Sequence, residues 1–173
     1  MRIATWNVNG IRAREAQLCE WMARDQPDVV CLQEIKARPD QVPETCKLAD
    51  WAAQLHAEGR QAIVCGDLNV AHADIDVHPR ERKAGVIGQR PEERELFDRL
   101  LGEHFVDVGR AMNPDDDTMF SWWPPWRNMR QRNIGWRIDY ILASKSIADR
   151  VESCKVLADV GTSDHAPVLM TLR

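Results

Sequence analysis

Apolar residues come in short runs along the chain, and the early runs all end on polar residues of one chemical kind. Ile3-Ala4-Thr5-Trp6 stops at Asn7, Val29-Val30-Cys31-Leu32 at Gln33-Glu34, and Ala62-Ile63-Val64-Cys65 at Gly66-Asp67-Leu68-Asn69. Runs of this length and composition predict buried strands. Between the first two, Ile11, Leu18, Trp21 and Met22 fall at roughly helical spacing, so residues 11–24 are expected to form a helix that Pro27 stops. Pro39 and Pro43 mark a loop, and residues 48–57 a second helix ended by Gly59. Residues 71–89 carry many charges together with Pro79, Gly85 and Gly88, which predicts a long surface loop. Pro91 suits the first turn of a third helix over residues 92–101, closed by Gly102. Short strands are expected near residues 105–108, 119–122, 136–143, 151–157 and 167–172. Helices early and mostly antiparallel strands late favour a layered α/β sandwich over a doubly wound parallel fold, in a single domain spanning residues 1–173.

The strand ends carry the chemistry. A carboxylate that interrupts a buried strand is costly unless it is paired or holds a metal. Asn7, Glu34, Asp67, Asn69, Asp164 and His165 together are the donors that a hard divalent cation such as Mg²⁺ selects, which outlines a metal-dependent phosphodiester-cleaving site. Taken singly, Gly66-Asp67-Leu68-Asn69 is also a set of turn formers, and Ser163-Asp164-His165 also suits a loop. Asp139 is harder to place blandly, because it sits between Ile138 and Tyr140 in an apolar run. A carboxylate beside an imidazole orients and charges it, so Asp139 is expected to partner His165. His56, His72, His78 and His104 show no ligand-like spacing and are assigned surface or structural roles.

A net charge of −4 argues against a protein that merely coats nucleic acid, but it leaves room for a local basic groove. Residues 120–138 carry Arg127, Arg130, Arg132 and Arg137 without an acid, interleaved with Trp122, Trp123, Trp126 and Trp136. Guanidinium for phosphate and indole for stacking make this segment the expected nucleic-acid contact. The five cysteines are scattered, with no Cys-x-x-Cys pair, and are expected to be reduced core thiols. The first strand starts at Arg2, leaving no room for a signal peptide, and no apolar run is long enough to span a membrane. The expectation is therefore a cytoplasmic monomer.

In order along the chain, Trp6-Asn7-Val8-Asn9-Gly10-Ile11-Arg12-Ala13, Leu32-Gln33-Glu34-Ile35-Lys36, Gly66-Asp67-Leu68-Asn69-Val70-Ala71, Asp74-Ile75-Asp76, Gly135-Trp136-Arg137-Ile138-Asp139-Tyr140 and Ser163-Asp164-His165-Ala166-Pro167 resemble the exonuclease III branch of the endonuclease/exonuclease/phosphatase superfamily. The resemblance implies a sandwich of the deoxyribonuclease/exonuclease III type, with two mainly antiparallel sheets flanked by helices and the site where the sheets meet. It implies Mg²⁺ or Mn²⁺ near Asn7 and Glu34, with Asp164 and His165 also at the site. It gives Asp67 as the acid/base that prepares the attacking water, Asn69 as a transition-state hydrogen-bond donor, and a His165–Asp139 pair at the phosphate. Trp122, Trp136 and Ile138 fall where the family forms its pocket for a base-free sugar, Trp126 where it wedges the duplex, and Arg127 and Arg130 in the same DNA-binding segment. The implied partner is double-stranded DNA with abasic sites or nicks.

The chain also departs from the family pattern. Relatives carry a long stretch between the Gln-Glu strand and the Gly-Asp-Leu-Asn strand, with a Tyr-x-Pro-Asn-Gly motif whose tyrosine serves the active site. Here residues 35–61 alone separate those strands, Tyr140 is the single tyrosine, and there is no Pro-Asn dipeptide. This predicts an internal deletion between about residues 43 and 47 that removes some central strands. For the ligands still to meet, the Glu34 and Asp67 strands must become neighbours through the helix between them. Two functions follow as expectations. The first is a Mg²⁺-dependent DNA repair nuclease acting at abasic sites and on 3′ ends; the second is a catalytically impaired remnant that binds DNA without efficient turnover.

Overall fold

The computed structural model describes residues 3–7, 11, 15–16, 19–20, 23, 29–33, 54–102, 104–159, 164–166 and 168–173, the segments 3–7 and 29–33 by their backbone. The strands within them are β1 (Ile3–Asn7), β2 (Val29–Gln33), β3 (Ile63–Asp67), β4 (Phe105–Asp107), β5 (Asp139–Ser144), β6 (Val151–Val156) and β7 (Val168–Leu172). The helices with both ends among the described residues are α1 (Pro91–Leu101), α2 (Val108–Met112) and α3 (Lys145–Ala148). A five-stranded sheet has the order β1-β2-β3-β5-β4, and β6 and β7 form a second sheet. The first sheet is mixed, because β1, β2 and β3 run parallel while β5 and β4 join antiparallel; the second is antiparallel. β2 pairs directly with β3, Val29 beside Ile63 and Val30 beside Val64, so the two strands that had to become neighbours are neighbours.

Alternation along β3 and β5 divides the core, since successive side chains point to opposite faces of a sheet. Val64, Tyr140 and Leu142 pack with Leu55 and with Phe97 and Leu100 of α1. Ile63, Ile141 and Ala143 pack on the other face with Val151 and Cys154 of β6, and Val168 and Met170 of β7 close over them. Among the described residues the layers run helix, sheet, sheet. Helix α1 starts where expected, with Pro91 in its first turn and the Glu93 carboxylate accepting from the backbone N–H groups of Gly88 and Arg90 at 2.7 and 3.0 Å. Gly102 ends it at φ 44.

Three expectations change. Residues 119–122 form no strand, and the strand expected over 136–143 begins at Asp139. Instead the N–H groups of Ser121 and Trp122 both donate to the Trp136 carbonyl at 2.9 Å, and Trp122 bridges His165 on its other side. Single bridges of this kind hold three segments together without building a ladder. Residues 71–89 are more than a surface loop: they include 3-10 turns at Asp74–Asp76 and Pro79–Glu81, and Ala71, Asp76, Val77 and Gln89 are buried. Of the two early helices, residues 15–16, 19–20 and 23 and residues 54–57 are helical, and the remainder lies outside the described residues. Cys154 is a buried free thiol that burial pushes up to about 11. No described helix is long and apolar enough to cross a membrane.

The third change concerns Arg137, counted above among the nucleic-acid contacts. It is 2% exposed and faces the core. Its Nε donates to Asp76 at 2.7 Å, and its Nη1 and Nη2 donate to the two oxygens of Asp107 at 3.0 and 2.7 Å. Arg110 donates to the same Asp76 oxygen at 2.6 Å. Trp123 likewise belongs to the interior, 1% exposed among Phe120, Met129, Ile134 and Ala166. A count of charges and rings along one segment does not see acids that lie 61 and 30 residues away.

Candidate active site

The parallel strands deliver their ends to one edge of the sheet. Asn7, the last residue of β1, pairs with Gln33, the last of β2, and the side chain of Asn7 and the whole of Glu34 lie outside the described residues. Asp67, the last residue of β3, stands directly opposite Asp139, the first of β5. Residues opposed in this way bring their Cβ atoms to about 4.5–5.5 Å, and like charges there are destabilising. A fold that places two carboxylates opposite each other at a half-buried sheet edge has reason to use them.

Each carboxylate is held. The backbone N–H of Asn69 donates to Asp67 Oδ1 at 2.8 Å and its side-chain amide donates to Oδ2 at 3.0 Å, a tight local turn that puts Asn69 at φ 54. Burial raises the Asp67 carboxyl above its ordinary value, and Asp139 adds to the rise, against the lowering by Asn69 and His165. Asp139 meets His165 Nδ1 at 2.9 Å through Oδ2. That hydrogen bond raises the imidazole above its ordinary value despite burial, with Asp139, Asp67 and Asp164 acting in the same direction.

Ser121 was not foreseen. Its hydroxyl donates to Asp139 Oδ2 at 2.8 Å and accepts from the N–H groups of Ile138 and Asp139 at 3.1 and 3.0 Å. Nothing in its sequence context signals this, because the contact depends on residues 120–123 crossing the start of β5. The same crossing brings in residues 164–166: the Ala166 N–H donates to the Ser121 carbonyl at 2.8 Å, and the Trp123 N–H donates to the Asp164 carbonyl at 3.0 Å. The Trp122 indole N–H then reaches the Asp164 carboxylate at 3.1 Å.

Beside these groups opens a cavity of about 260 Å³ lined by Asn69, Ile87, Trp122, Trp136, Ile138 and His165. The rings of Trp122 and Trp136 meet edge to face at 5.7 Å and form its apolar body. Further out, Trp126 is 57% exposed at a loop tip where Arg127 and Asn128 take φ 53 and 52. Arg127 and Arg132 are exposed beside it. Arg130 is half-buried and held by the protein itself, donating twice to the carbonyl of the exposed Ala158 at 3.1 and 2.8 Å and lying over the Trp123 ring at 4.7 Å. Tyr140 is also committed: it is buried, donates its hydroxyl to the Val70 carbonyl at 2.7 Å and has its phenol pushed up by burial. It therefore does not replace a tyrosine at the site.

The donor set fits a hard cation. Asp67 offers carboxylate oxygens whose charge is disfavoured by burial and by a second carboxylate, and the end of β1 places an amide residue at the same edge. Among the described residues no three His, Cys, Asp or Glu side chains cluster as a complete ligand group, and Glu34 is not among those residues.

A model of the "Endonuclease/Exonuclease/phosphatase family" matches residues 4–165. The chain is 28% identical to an exodeoxyribonuclease of Bacillus subtilis over 246 aligned positions, covering 97% of this chain and 98% of that protein. It is 24% identical to the DNA repair nuclease APEX1 of Danio rerio, covering 99% of this chain and 82% of the relative. Both alignments are longer than the 173 residues of the chain, so both relatives contain internal sequence that has no counterpart here. In structure it is similar to a 3′-5′ exonuclease of Neisseria meningitidis, with a TM-score of 0.69, 22% identity and 99% of both chains covered. The chain belongs to the endonuclease/exonuclease/phosphatase family, in its exonuclease III and AP endonuclease branch.

Proposed function

We propose that this hydrolase is a Mg²⁺-dependent DNA repair nuclease that cuts phosphodiesters at abasic sites and removes nucleotides from 3′ ends, with turnover below that of a full-length relative. One observation carries the reading: Asp67 stands opposite Asp139, which holds His165 in the wall of a cavity that two tryptophans also line. Asp67, raised by burial, accepts a proton from the attacking water. As the water oxygen bonds to phosphorus and the opposite P–O bond breaks, charge grows on the phosphate oxygens, and the departing 3′ oxygen leaves as a hydroxyl with a proton from solvent. His165, whose hydrogen bond with Asp139 favours its protonated form, and the Asn69 amide donate hydrogen bonds to them. Asn7, Glu34, Asp67, Asn69 and Asp164 are the residues that would hold the metal, which when bound would supply charge neutralisation and an activated water; His165, paired with Asp139, stands at the phosphate rather than on the cation. Reduced turnover follows from the missing tyrosine and strands, because misplacement by about 1 Å can cost 10²-fold in rate.

The deciding experiment follows cleavage of a duplex with one abasic analogue, in Mg²⁺ and in EDTA. Cleavage at the analogue in Mg²⁺ alone is expected; binding without any cleavage would instead establish the impaired remnant.

Glu34→Gln removes an anionic oxygen from a hard-cation site, so it should weaken Mg²⁺ binding in calorimetry more than it weakens DNA binding. Unchanged Mg²⁺ affinity would place the metal elsewhere. The exposed Arg127 and Arg132 are read as phosphate contacts, and their joint replacement by Ala should lower the slope of log affinity against log salt by about 2. An unaltered slope would remove the loop at residues 126–132 from the interface.

A further inference from the structure

Ile87 is the cavity wall that comes from the charged loop at residues 71–89, and it is 65% exposed. A large apolar side chain on a rim is ordinary by itself. What sets this one apart is how firmly its backbone is placed. The next residue, Gly88, has φ 89, donates its N–H to Glu93 at 2.7 Å, and accepts from the Ala71 N–H at 2.7 Å. A Cβ at Gly88 would fall 2.8 Å from the Asn69 carbonyl oxygen and 3.0 Å from the Trp136 ring. The loop therefore presses its backbone against the cavity wall and fixes where Ile87 stands. Glu93, which anchors it, belongs to the first turn of α1 and is itself buried.

Size gives the position its meaning. A cavity of about 260 Å³ falls below the roughly 300–1,000 Å³ of sites that enclose drug-sized ligands. It suits a single ring better than a ring with a base attached. The opposite walls do not yield easily, since Ile138 is 5% exposed and the Trp122 and Trp136 rings brace each other. Isoleucine is branched at Cβ and stiff about its first torsion, which makes it a firm stop at an open rim.

We infer that Ile87 is a specificity-determining residue: it occupies the space that a base would need, so the cavity admits a deoxyribose that has lost its base and turns away an intact nucleotide. This rests on the reading of the cavity as a sugar pocket given above.

The test compares two duplexes of one sequence, one with a tetrahydrofuran residue in place of a nucleotide and one intact, by fluorescence anisotropy in EDTA so that neither is cut. The parent should prefer the tetrahydrofuran duplex. Apolar pockets discriminate by about 10- to 200-fold per methylene, so Ile87→Ala should cut that preference at least tenfold, mainly through tighter binding of the intact duplex. Ile87→Val, which keeps the branch, should retain most of it, and thermal melts of both variants should stay near the parent's because the side chain is exposed. A parent with a preference that Ile87→Ala leaves unchanged overturns the role of Ile87 and spares the pocket. A parent that binds both duplexes equally overturns the pocket reading and this inference together.

Discussion

Asp67→Asn should slow DNA cleavage by about 10²- to 10⁴-fold, the range that a positioned general acid or base contributes. The substitution keeps the shape and one acceptor oxygen, so the turn through Asn69 should survive, since its backbone N–H needs only Oδ1. What disappears is the proton acceptor and a negative charge beside Asp139. DNA affinity should accordingly hold or rise slightly, because one anion near the phosphate is gone. Single-turnover cleavage with anisotropy on the same substrate separates the two effects. A variant that keeps more than half of the parental rate would end the assignment of Asp67.

The second large effect lies away from the chemistry. Arg137→Met should cost about 3–5 kcal/mol, because removing one member of a buried charge network leaves the others uncompensated. Asp76 is 1% exposed and Asp107 7%, so water cannot easily take over the role of the guanidinium. For a chain of this size that corresponds to a melting temperature lower by roughly 6–20 °C. Asp76→Asn combined with Arg137→Met should be less harmful than the sum of the single changes, which urea titrations of the three variants measure. Additivity would mean that the two residues do not act as a pair. The network also sets a pH dependence. Burial acts to raise Asp76, but hydrogen bonds and charge from Arg137 and Arg110 outweigh it and hold the carboxyl below 3.8 in the folded protein. A depressed folded value means that this stability is fully present above about pH 4 and is lost as pH falls through the folded value. Asp76→Asn should flatten that acid limb.

Much of the site was legible because its residues sit at strand ends, where an apolar run meets a residue that has no packing reason to be there. Asp67, Asn69 and Asp139 announce themselves in this way, and the pairing of Asp139 with His165 followed from the cost of an unpaired carboxylate. β1, β2, β3 and α1 could be placed from periodicity, Pro91 and Gly102. The region at residues 119–138 was read less well, because its order comes from single bridges to Trp136 and His165 rather than from a repeating ladder. Arg137 and Trp123 looked like ligand contacts only while their partners were unknown. Ser121 and Ile87 carry no local mark, since each acquires its place from a segment that arrives from elsewhere in the chain.

The pairing of β3 with β5 has a bearing on how the molecule comes into being. β1, β2 and β3 follow one another in both sequence and sheet, whereas the seam from Ala62 to Ser144 joins groups 82 residues apart. The entropic cost of so long a closure is modest, about 0.6 kcal/mol per doubling of length, but distant contacts form slowly. The seam that creates the Asp67–Asp139 pair should thus close late in folding, and conservative truncations such as Ile141→Val should speed unfolding more than they slow folding; the reverse would place the seam in the nucleus. A nascent or partly folded chain would then have its basic loop without its two opposed carboxylates, and would be unable to nick DNA before the fold is complete.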